Sequence, residues 1–287
     1  MAHHVPAPIA LGTSLTLHFL VFIVACAKMV GALLGVVEVD LIFPRNETYA
    51  PTTNLPIIFA FQNSHLAPFL DPIIEIDAYL LYNANGSTQW TPPDATSLDQ
   101  LRWANFTNNN TYFAYPTYQR RTFNFETEGI WQLTWTLNWA TCTKDSLAKT
   151  YSKDQLMRNQ SQHTTMLTIR KGAQEVDLVS GTKDKSCSGQ EGVAVNITNT
   201  LQAPLSAHWE GQGDMCASTA SSVPKSDLCR VSIDPTAAAS ISCAVSLATS
   251  SATSSSLACP EEKKGAAERL TIGGLAAMVG ALSYLLH

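Results

Sequence analysis

The amino-acid sequence predicts an all-β protein, an antiparallel β-sandwich of the immunoglobulin-like kind followed by a disordered Ser/Thr-rich stalk. Three observations support this fold class. Apolar and polar residues alternate in several short runs, Pro, Asn and Gly separate the runs, and no convincing amphipathic helix lies between the two terminal apolar segments. Half-buried strands produce such alternation, and many short strands joined by turns are typical of two packed antiparallel sheets.

The clearest predicted strand covers residues 129–139. Its odd positions carry large apolar side chains: Trp131, Leu133, Trp135, Leu137 and Trp139. Its even positions carry polar side chains: Gln132, Thr134, Thr136 and Asn138. A helix would align the tryptophans, which recur every fourth residue, but it would leave the leucines off that stripe. The two-residue period accounts for all the apolar residues, so we predict a strand with one face toward the core and one toward water.

Shorter runs predict further strands in the same way. They are Val37–Phe43, Leu55–Phe61, Ile74–Tyr82, Met166–Arg170 and Val193–Ile197. In the first run Glu38 and Asp40 are expected to face water, and in the last run Asn196 is expected to do so. The turn that leads to Trp131 is similar to the aromatic corner of immunoglobulin-like sheets, with Trp in place of Tyr.

The two ends of the chain carry apolar segments that predict export and membrane attachment. Residues 15–27 have the length of the apolar part of a secretory signal, and cleavage after Ala27 or Ala32 would follow small residues. No Lys or Arg precedes this segment, and a buried helix or an uncleaved signal anchor is the alternative. The uncharged run 270–287 follows the polar spacer 260–269, which is the arrangement of a glycosylphosphatidylinositol (GPI) attachment signal.

These features divide the chain into predicted segments. They are a signal peptide at 1–32, a β-sandwich domain at 33–205, a Cys-containing Ala/Ser/Thr-rich stalk at 206–265 and a hydrophobic GPI-attachment signal at 266–287. The stalk is predicted because Ala, Ser and Thr bury too little apolar surface to offset the entropy of ordering the chain. We predict Gly265 as the attachment residue, since attachment within 254–256 would remove Cys259 and leave an odd number of cysteines.

Cysteine usage predicts disulfide bonds. Removal of the signal peptide would leave Cys142, Cys187, Cys216, Cys229, Cys243 and Cys259. An even set in an exported chain is typical of disulfides, although the sequence alone does not choose among the connectivities. Proximity along the chain favours Cys216 with Cys229 and Cys243 with Cys259, which leaves Cys142 with Cys187. No CxxC pair or histidine cluster has the spacing of a zinc site, so we predict no metal and no cofactor.

Asn-X-Ser/Thr sequences predict N-glycosylation through the middle of the chain. The acceptors are Asn46, Asn85, Asn105, Asn109, Asn159 and Asn196. Each such tripeptide marks a potential acceptor in an exported protein. Because an attached glycan is bulky and solvated, these positions predict a well-exposed domain surface.

Composition and motifs exclude several classes of function. Charged residues make up 14% of the chain and the net charge is -5, which is not the composition of a nucleic-acid-binding protein. No phosphate-binding loop, GxSxG, HExxH or dinucleotide-binding sequence is present. Outside the terminal segments only His65, His163 and His208 occur, and none lies in a motif with a nucleophile or metal ligand. We therefore predict no catalytic, cofactor-binding or metal-binding residues.

Two sets of residues are candidates for carbohydrate chemistry. A glycosidase needs two carboxylates at a suitable separation, and the candidates are Asp71, Glu75, Asp77, Glu126 and Glu128. Glu75 and Asp77 are expected on one strand face about 7 Å apart. An aromatic and Asn-rich stretch suits sugar stacking, with Trp90, Trp103 and Tyr115 as candidate sugar-binding residues. A solvated strand face and packing in the core are the respective alternative interpretations.

Blocks of sequence carry a resemblance to a known family. They are 37–49 (VEVDLIFPRNETY), 56–63 (PIIFAFQN) and the strand end Leu137–Trp139 with Cys142. On these blocks residues 36–259 resemble a family of fungal secreted proteins known only as a domain of unknown function, whose members often end in a GPI-type tail. The resemblance implies a fungal source and display at the cell surface, and it supplies no catalytic residues.

We therefore expect a non-catalytic, GPI-anchored cell-surface or cell-wall glycoprotein with a structural, adhesive or sugar-binding role. Its expected partners are the membrane, through the GPI anchor, and cell-wall polysaccharide, but not nucleic acid. Its expected location is the secretory pathway and then the extracellular face of the plasma membrane or the cell wall. The alternative is an extracellular polysaccharide-acting enzyme of the glycoside hydrolase type that uses an Asp/Glu pair such as Glu75 with Asp77.

Overall fold

The structure, a computed structural model, is built mainly of β-strands. It describes residues 34–53, 55–88, 94–106, 110–117, 123–149, 156–183, 191–203, 215–221, 224–226, 230–249 and 259. The strands are β1 Gly35–Phe43, β2 Thr48–Tyr49, β3 Ile58–Gln62, β4 Ile73–Asn83, β5 Asp94–Leu98, β6 Thr111–Ala114, β7 Gly129–Thr141, β8 Met157–Ile169, β9 Gly192–Gln202 and β10 Met215–Thr219. The α-helices are α1 Lys144–Leu147, α2 Leu178–Thr182 and α3 Pro235–Thr249, and 3-10 helices cover Ser64–Leu70 and Asp99–Trp103.

The strands form two five-stranded sheets. The first sheet has the order β10-β9-β1-β3-β6 and the second has the order β2-β8-β7-β4-β5. Neighbouring strands are antiparallel except for the short parallel pair of β2 and β8. The rings of Phe59 in the first sheet and Trp135 in the second are 5.3 Å apart between centroids, so the two sheets share one aromatic core.

Each strand predicted from alternation overlaps an observed strand, although β3 begins at Ile58 and not at the predicted Leu55. The five apolar residues predicted on one side of β7 include four that are buried, Trp131, Leu133, Trp135 and Leu137, while Trp139 is half-buried. The predicted strand Met166–Arg170 is the end of a longer strand, β8. Its first half is polar at nearly every position, so alternation gives no sign of it.

The prediction that Glu38 and Asp40 face water is wrong. These side chains are only 7% and 2% exposed, because β1 is a central strand of its sheet and is covered on both faces. Gln62 of β3 donates a hydrogen bond from Nε2 to Asp40 Oδ2 at 2.8 Å. A buried carboxylate requires such a donor. Alternation identified the strand, but it could not show that the second face was also buried.

The predicted stalk is also partly wrong, because two ordered elements lie inside 206–265. Strand β10 pairs with β9, so the sheet continues beyond the predicted boundary at residue 205. Helix α3 begins after Asp234, whose Oδ1 accepts hydrogen bonds from the amides of Thr236 and Ala237 at 2.8 and 3.0 Å. That is a standard N-terminal cap, and Ala has the highest helix propensity of all residues. The Ala- and Ser-rich composition of residues 235–249 therefore encodes a helix.

Helix α3 buries one face. Ala237, Ile241 and Val245 recur every fourth residue and are all buried. The amide of Ile233 donates to Thr182 Oγ1 at 2.9 Å, which ties the chain just before α3 to the end of α2. Among the described helices, none has the length and apolar character needed to span a bilayer. The predicted signal peptide and the predicted GPI signal lie outside the described residues.

One of the three predicted disulfides is present, and the predicted pairs Cys142 with Cys187 and Cys216 with Cys229 are both wrong, because Cys142 and Cys216 pair with each other. Cys243 pairs with Cys259, with Cα atoms 5.6 Å apart, as expected from proximity. Cys142 pairs with Cys216 instead of Cys187, with Cα atoms 6.1 Å apart. The reason is that β10 lies beside the end of β7, where the amide of Cys142 donates to the carbonyl of Ala217 at 2.9 Å. The disulfide thus joins the second sheet to the first. Cys187 and Cys229 lie outside the described residues.

Candidate functional site

The outer side of the second sheet is a candidate binding surface, which we call the polar face. It consists of Ser97 of β5, Glu75, Asp77 and Tyr79 of β4, Gln132, Thr134, Thr136 and Asn138 of β7, and Gln160, Gln162 and Thr164 of β8. Cross-strand pairing places these residues in rows on one side of the sheet. All of them are exposed or half-buried except Thr134, which is 8% exposed. Hydroxyl, amide and carboxylate groups therefore cover the side of the sheet that faces away from the core.

Hydrogen bonds within the polar face hold its side chains in place. Gln132 Nε2 donates to Thr134 Oγ1 at 3.2 Å, and Thr134 Oγ1 lies 3.3 Å from Thr164 Oγ1 on the neighbouring strand. Thr134 is thereby fixed from both sides. Groups that are already ordered lose less entropy when a ligand binds, so this row is suited to recognition.

A carboxylate pair lies on the β4 row of the polar face. Glu75 and Asp77 are opposite Thr136 and Thr134 of β7, which confirms that both belong to one strand face. Burial, followed by the nearby charge of Glu75, raises the pKa of Asp77 above its ordinary value of 3.8. Burial and then the charge of Asp77 raise the pKa of Tyr79. The row therefore carries concentrated negative charge and strong hydrogen-bond acceptors.

The other acidic candidates have structural partners. Asp71 Oδ2 accepts a hydrogen bond from Arg158 Nη2 at 2.7 Å. Glu128 lies 3.4 Å from Lys171 Nζ, and the Lys171 amide, together with that ammonium, lowers the pKa of Glu128. Glu126 accepts a hydrogen bond from Asn124 Nδ2 at 3.0 Å. None of these contacts brings the three carboxylates together.

The aromatic stretch contributes mainly to the core. Tyr115 is only 7% exposed, so its ring is not presented to a sugar, and the prediction of a sugar-binding role for it is not supported. Phe61, Phe106 and Tyr112 form a buried cluster, with the last two ring centroids 4.8 Å apart. Trp103 differs, because it is 48% exposed at the end of the 3-10 helix that follows β5. Trp90 lies outside the described residues.

A second constellation was not found from the sequence, and it lies between the two sheets. Ser161 Oγ is 2.9 Å from His163 Nε2, and His163 Nδ1 is 2.8 Å from Glu191 Oε2. Ser161 and His163 are on β8 of the second sheet, whereas Glu191 directly precedes β9 of the first. We call these three residues the Ser–His–Glu relay. His163 lies in no recognised catalytic motif, but the fold gives it a hydroxyl partner and a carboxylate partner.

The relay is held from two directions. The His163 ring stacks on Trp135 with centroids 4.6 Å apart and planes 22° apart. The amide of Thr164 donates to Glu191 Oε2 at 3.1 Å, which positions the carboxylate. The side chain of His163 is 18% exposed and that of Glu191 is 41% exposed, so the relay is open to solvent. The sequence shows that Ser161 and His163 are two residues apart, but only the fold brings Glu191 beside them.

The predicted glycosylation sites differ in exposure. Asn46, Asn85 and Asn105 are exposed. Asn159 and Asn196 are half-buried, and Asn159 Nδ2 donates to Thr141 Oγ1 at 3.0 Å. The position of Asn109 lies outside the described residues. Modification at all these positions stays a prediction.

The described residues include no group of three or more His, Cys, Asp or Glu side chains placed to hold a metal ion. The described residues define a class of protein with two packed β-sheets that a disulfide joins. It has a polar outer face on one sheet and a Ser–His–Glu relay between the two sheets.

The chain belongs to the family described as Domain of unknown function (DUF7136), which it matches over residues 32–259. The match includes β10 and α3, which agrees with their place in the folded domain. No protein of curated function matches the chain.

Proposed function

We propose that this protein is a GPI-anchored glycoprotein of the cell surface or cell wall, and that its polar face binds polysaccharide without catalysing a reaction. The observation that carries the proposal is the composition and order of that face. Ten of its eleven side chains, from four strands, present hydroxyl, amide, carboxylate and phenol groups to solvent on one side of one sheet. Sugars are recognised by such groups, which exchange hydrogen bonds with ring hydroxyls.

The charge of the polar face favours neutral sugars over phosphate polymers. The face as defined above contains no Lys or Arg, and it contains Glu75 and Asp77. The next arginine along β8 is Arg158, and its guanidinium is in contact with Asp71. Carboxylates accept hydrogen bonds from sugar hydroxyls, whereas they repel polyanions. The face of the Tyr79 ring supplies the apolar surface on which a sugar ring can stack.

We also propose that the two sheets form an immunoglobulin-like sandwich. Trp131 Nε1 donates to the carbonyl of Thr127 at 3.0 Å, four residues upstream. The tyrosine corner of immunoglobulin-like domains makes a similar bond from a side chain back to the preceding turn. The aromatic contact between Phe59 and Trp135 supports face-to-face packing of the sheets.

Three observations support the proposal that the protein is displayed outside the cell. The terminal apolar segments have the patterns of a signal peptide and a GPI signal. Disulfides persist in oxidising compartments, and two lie among the described residues. The exposed Asn46, Asn85 and Asn105 are accessible to glycosylation. Release of the protein from membranes by a phosphatidylinositol-specific phospholipase tests the anchor, and retention after treatment would argue for a spanning segment.

Sedimentation with insoluble polysaccharides tests the binding role. The full chain is incubated with chitin, β-glucan and mannan, and the pellet is assayed for protein. Binding should weaken about tenfold in Gln162→Ala and in Tyr79→Ala, since each loses one or two contacts. The matched control is Gln202→Ala, because Gln202 is also an exposed strand glutamine but lies on the first sheet. Equal binding by all variants would overturn the assignment to the polar face.

The alternative function is glycoside hydrolysis by Glu75 and Asp77. It is favoured by the direction of the Asp77 pKa, which burial raises, because the general acids of glycosidases have raised pKa values. Residues two apart on a strand are about 7 Å apart, which lies in the range of the carboxylates in inverting glycosidases. Sugar released into the supernatant by the wild type, but not by Glu75→Ala/Asp77→Ala, would establish this alternative; pelleting without release would favour binding alone.

A further inference from the structure

The geometry of the Ser–His–Glu relay points to a second, separate site, and we propose that it hydrolyses carboxylic esters with Ser161 as the nucleophile. A nucleophile bonded to a base, which is bonded in turn to an orienting carboxylate, is the arrangement of serine hydrolases. Here the two bonds are 2.9 and 2.8 Å long. The relay is recognised by these roles, since the order of the residues along the chain varies among unrelated hydrolases. This proposal does not depend on sugar binding by the polar face.

The partners of His163 determine which ring nitrogen carries the proton. An ionised carboxylate only accepts hydrogen bonds, so Nδ1 facing Glu191 must be the N–H donor. In the neutral ring Nε2 is then the acceptor, and it receives the hydroxyl proton of Ser161. Stacking on Trp135 prevents the ring from turning out of this alignment. His163 is therefore oriented as a general base toward Ser161.

The reaction follows from this orientation. Ser161 Oγ attacks the ester carbonyl carbon while His163 Nε2 takes the hydroxyl proton. The carbon–oxygen bond to the alcohol then breaks, and the alcohol leaves with that proton while the acyl group stays on Ser161. His163 next takes a proton from water, the resulting hydroxide attacks the acyl carbon, and the carboxylic acid leaves as Ser161 Oγ is reprotonated. The sum is ester plus water to acid plus alcohol, so no oxidant or cofactor is required.

One candidate donor for the negative charge that develops on the carbonyl oxygen is a backbone amide of β8 that points away from β7. The amide of Thr164 points away from β7, since it donates to Glu191. Successive amides of a strand alternate in direction, so the amide of Gln162 points to the same side. Gln162 directly follows the nucleophile, which is where one oxyanion donor of α/β-hydrolases lies. Within the described part of the chain, β2 pairs with β8 only at Thr168 and Ile169, far from this amide.

Active-site labelling of the full chain, expressed through a eukaryotic secretory pathway, tests the proposal. A fluorophosphonate probe reacts with activated serines, and peptide mass spectrometry should place the adduct on Ser161. Hydrolysis of p-nitrophenyl acetate should fall at least about 100-fold in Ser161→Ala and in His163→Gln. In Glu191→Gln the rate of ester hydrolysis should fall about tenfold or more, because the His163 ring is no longer held in the required tautomer.

The chain offers a matched control. Ser161 completes the glycosylation sequence of Asn159, so Ser161→Ala removes a predicted glycan as well as the hydroxyl. Asn159→Gln removes the same sequence and keeps Ser161, and it should retain both labelling and ester hydrolysis. Loss of activity in Asn159→Gln to the level of Ser161→Ala would attribute the effect to the glycan and overturn the proposal.

The wild type supplies a test that does not depend on variants folding. Labelling of Ser161 that is blocked by prior heat unfolding would support a site made by the fold. Wild-type protein with a cooperative thermal unfolding transition and no adduct on Ser161 would overturn the proposal and leave the relay as a polar link between the sheets. Ester hydrolysis that persists in a folded Ser161→Ala variant would overturn it as well.

Discussion

Asp71 is a buried acid whose environment is set by arginines. Its side chain is 3% exposed, and it contacts Arg158 at 2.7 Å and Arg102 at 3.7 Å. Arg158 also donates to the backbone carbonyl of Asp71 at 3.4 Å, so it binds both the side chain and the main chain. These contacts link β8 to the turn before β4. The acid was a catalytic candidate in the sequence, but its partners indicate a structural role.

Replacing Arg158 should be costly for stability. Arg158→Ala leaves the buried carboxylate of Asp71 without its shortest ion pair, and we expect the free energy of unfolding to fall by about 2 to 4 kcal/mol. Chemical denaturation monitored by tryptophan fluorescence measures it. The control is Arg170→Ala, because the side chain of Arg170 is exposed, and it should change the stability by less than about 0.5 kcal/mol. Equal effects would show that the ion pair contributes little.

The raised pKa of Asp77 has a predictable effect on stability. Folding favours the protonated acid, so the stability contributed by its proton is present below its ordinary value of 3.8 and is lost as the pH rises through the folded-state pKa. Asp77→Asn should therefore be more stable than the wild type at pH 7, and the gain should vanish near pH 3. Urea unfolding at both pH values measures it.

Glu75→Gln provides the comparison for this prediction. It removes the neighbouring charge but leaves Asp77 half-buried, and burial is the larger cause of the raised pKa. Its gain in stability at pH 7 should therefore have the same sign and be smaller. A loss of stability at pH 7 in Asp77→Asn would contradict the direction assigned to the pKa.

At the scale of elements, the sequence predicted the strands that bury one apolar face. Strand β7 is the best example, since its apolar residues share one side and the polar face forms the other. Alternation gives no signal in strands where that pattern is absent. The first half of β8 is polar on both sides, so Ser161 and His163 lay outside any predicted strand. Helix α3 was missed because its Ala and Ser residues were interpreted by composition alone.

The two candidate sites also differ in how much of each the sequence predicts. The polar face follows from alternation within strands, so its β7 and β4 rows could be predicted, although strand order could not. The relay requires Glu191 to reach β8 from the start of β9, and no local pattern encodes that approach. Likewise, the Cys142–Cys216 pair depends on β10 returning to the end of β7. Contacts between distant elements are set by the global packing of the sheets.

Gly129 begins β7 at a point where a side chain has no room. A Cβ at this position would overlap the carbonyl oxygen of Tyr82 and lie 2.8 Å from Leu80 Cδ1, and the backbone φ is 154°. Gly129→Ala should therefore lower the free energy of unfolding by about 3 kcal/mol or more. The control is Gly86→Ala, whose φ is 75° but which has open space, and about 1 kcal/mol is expected. Thermal and denaturant unfolding of both variants measures these losses in the free energy of unfolding.

At the scale of the whole molecule, the two disulfides act over different distances. Cys142–Cys216 closes a separation of 74 residues and joins the two sheets, whereas Cys243–Cys259 closes only 16 and fastens the chain beyond α3. A small apolar cluster of Ala140, Leu156 and Ala203 packs around the first pair. The first disulfide therefore restrains the domain and the second restrains one end of it.

Removing each disulfide should reveal this difference. A loop-entropy estimate gives losses of about 4.4 kcal/mol for Cys142→Ala/Cys216→Ala and about 3.1 kcal/mol for Cys243→Ala/Cys259→Ala. The first variant also loses apolar packing, so its deficit should exceed the second by at least about 1.3 kcal/mol. Guanidinium unfolding of the oxidised proteins measures both. A larger loss for the Cys243–Cys259 variant would contradict the central role of the inter-sheet bond.

The pairing of β1 with β9 has a consequence for biosynthesis. Residues Gly35–Asp40 of β1 pair with Gly192–Ile197 of β9. One edge of β1 therefore stays unpaired until β9, a much later segment, has been synthesised. At translation rates of roughly 5 to 20 residues per second, the delay between the two is on the order of 10 to 30 seconds. During that time a nascent chain offers an unpaired, aggregation-prone strand edge. We therefore expect chaperones to bind the emerging strand β1 until β9 has been synthesised.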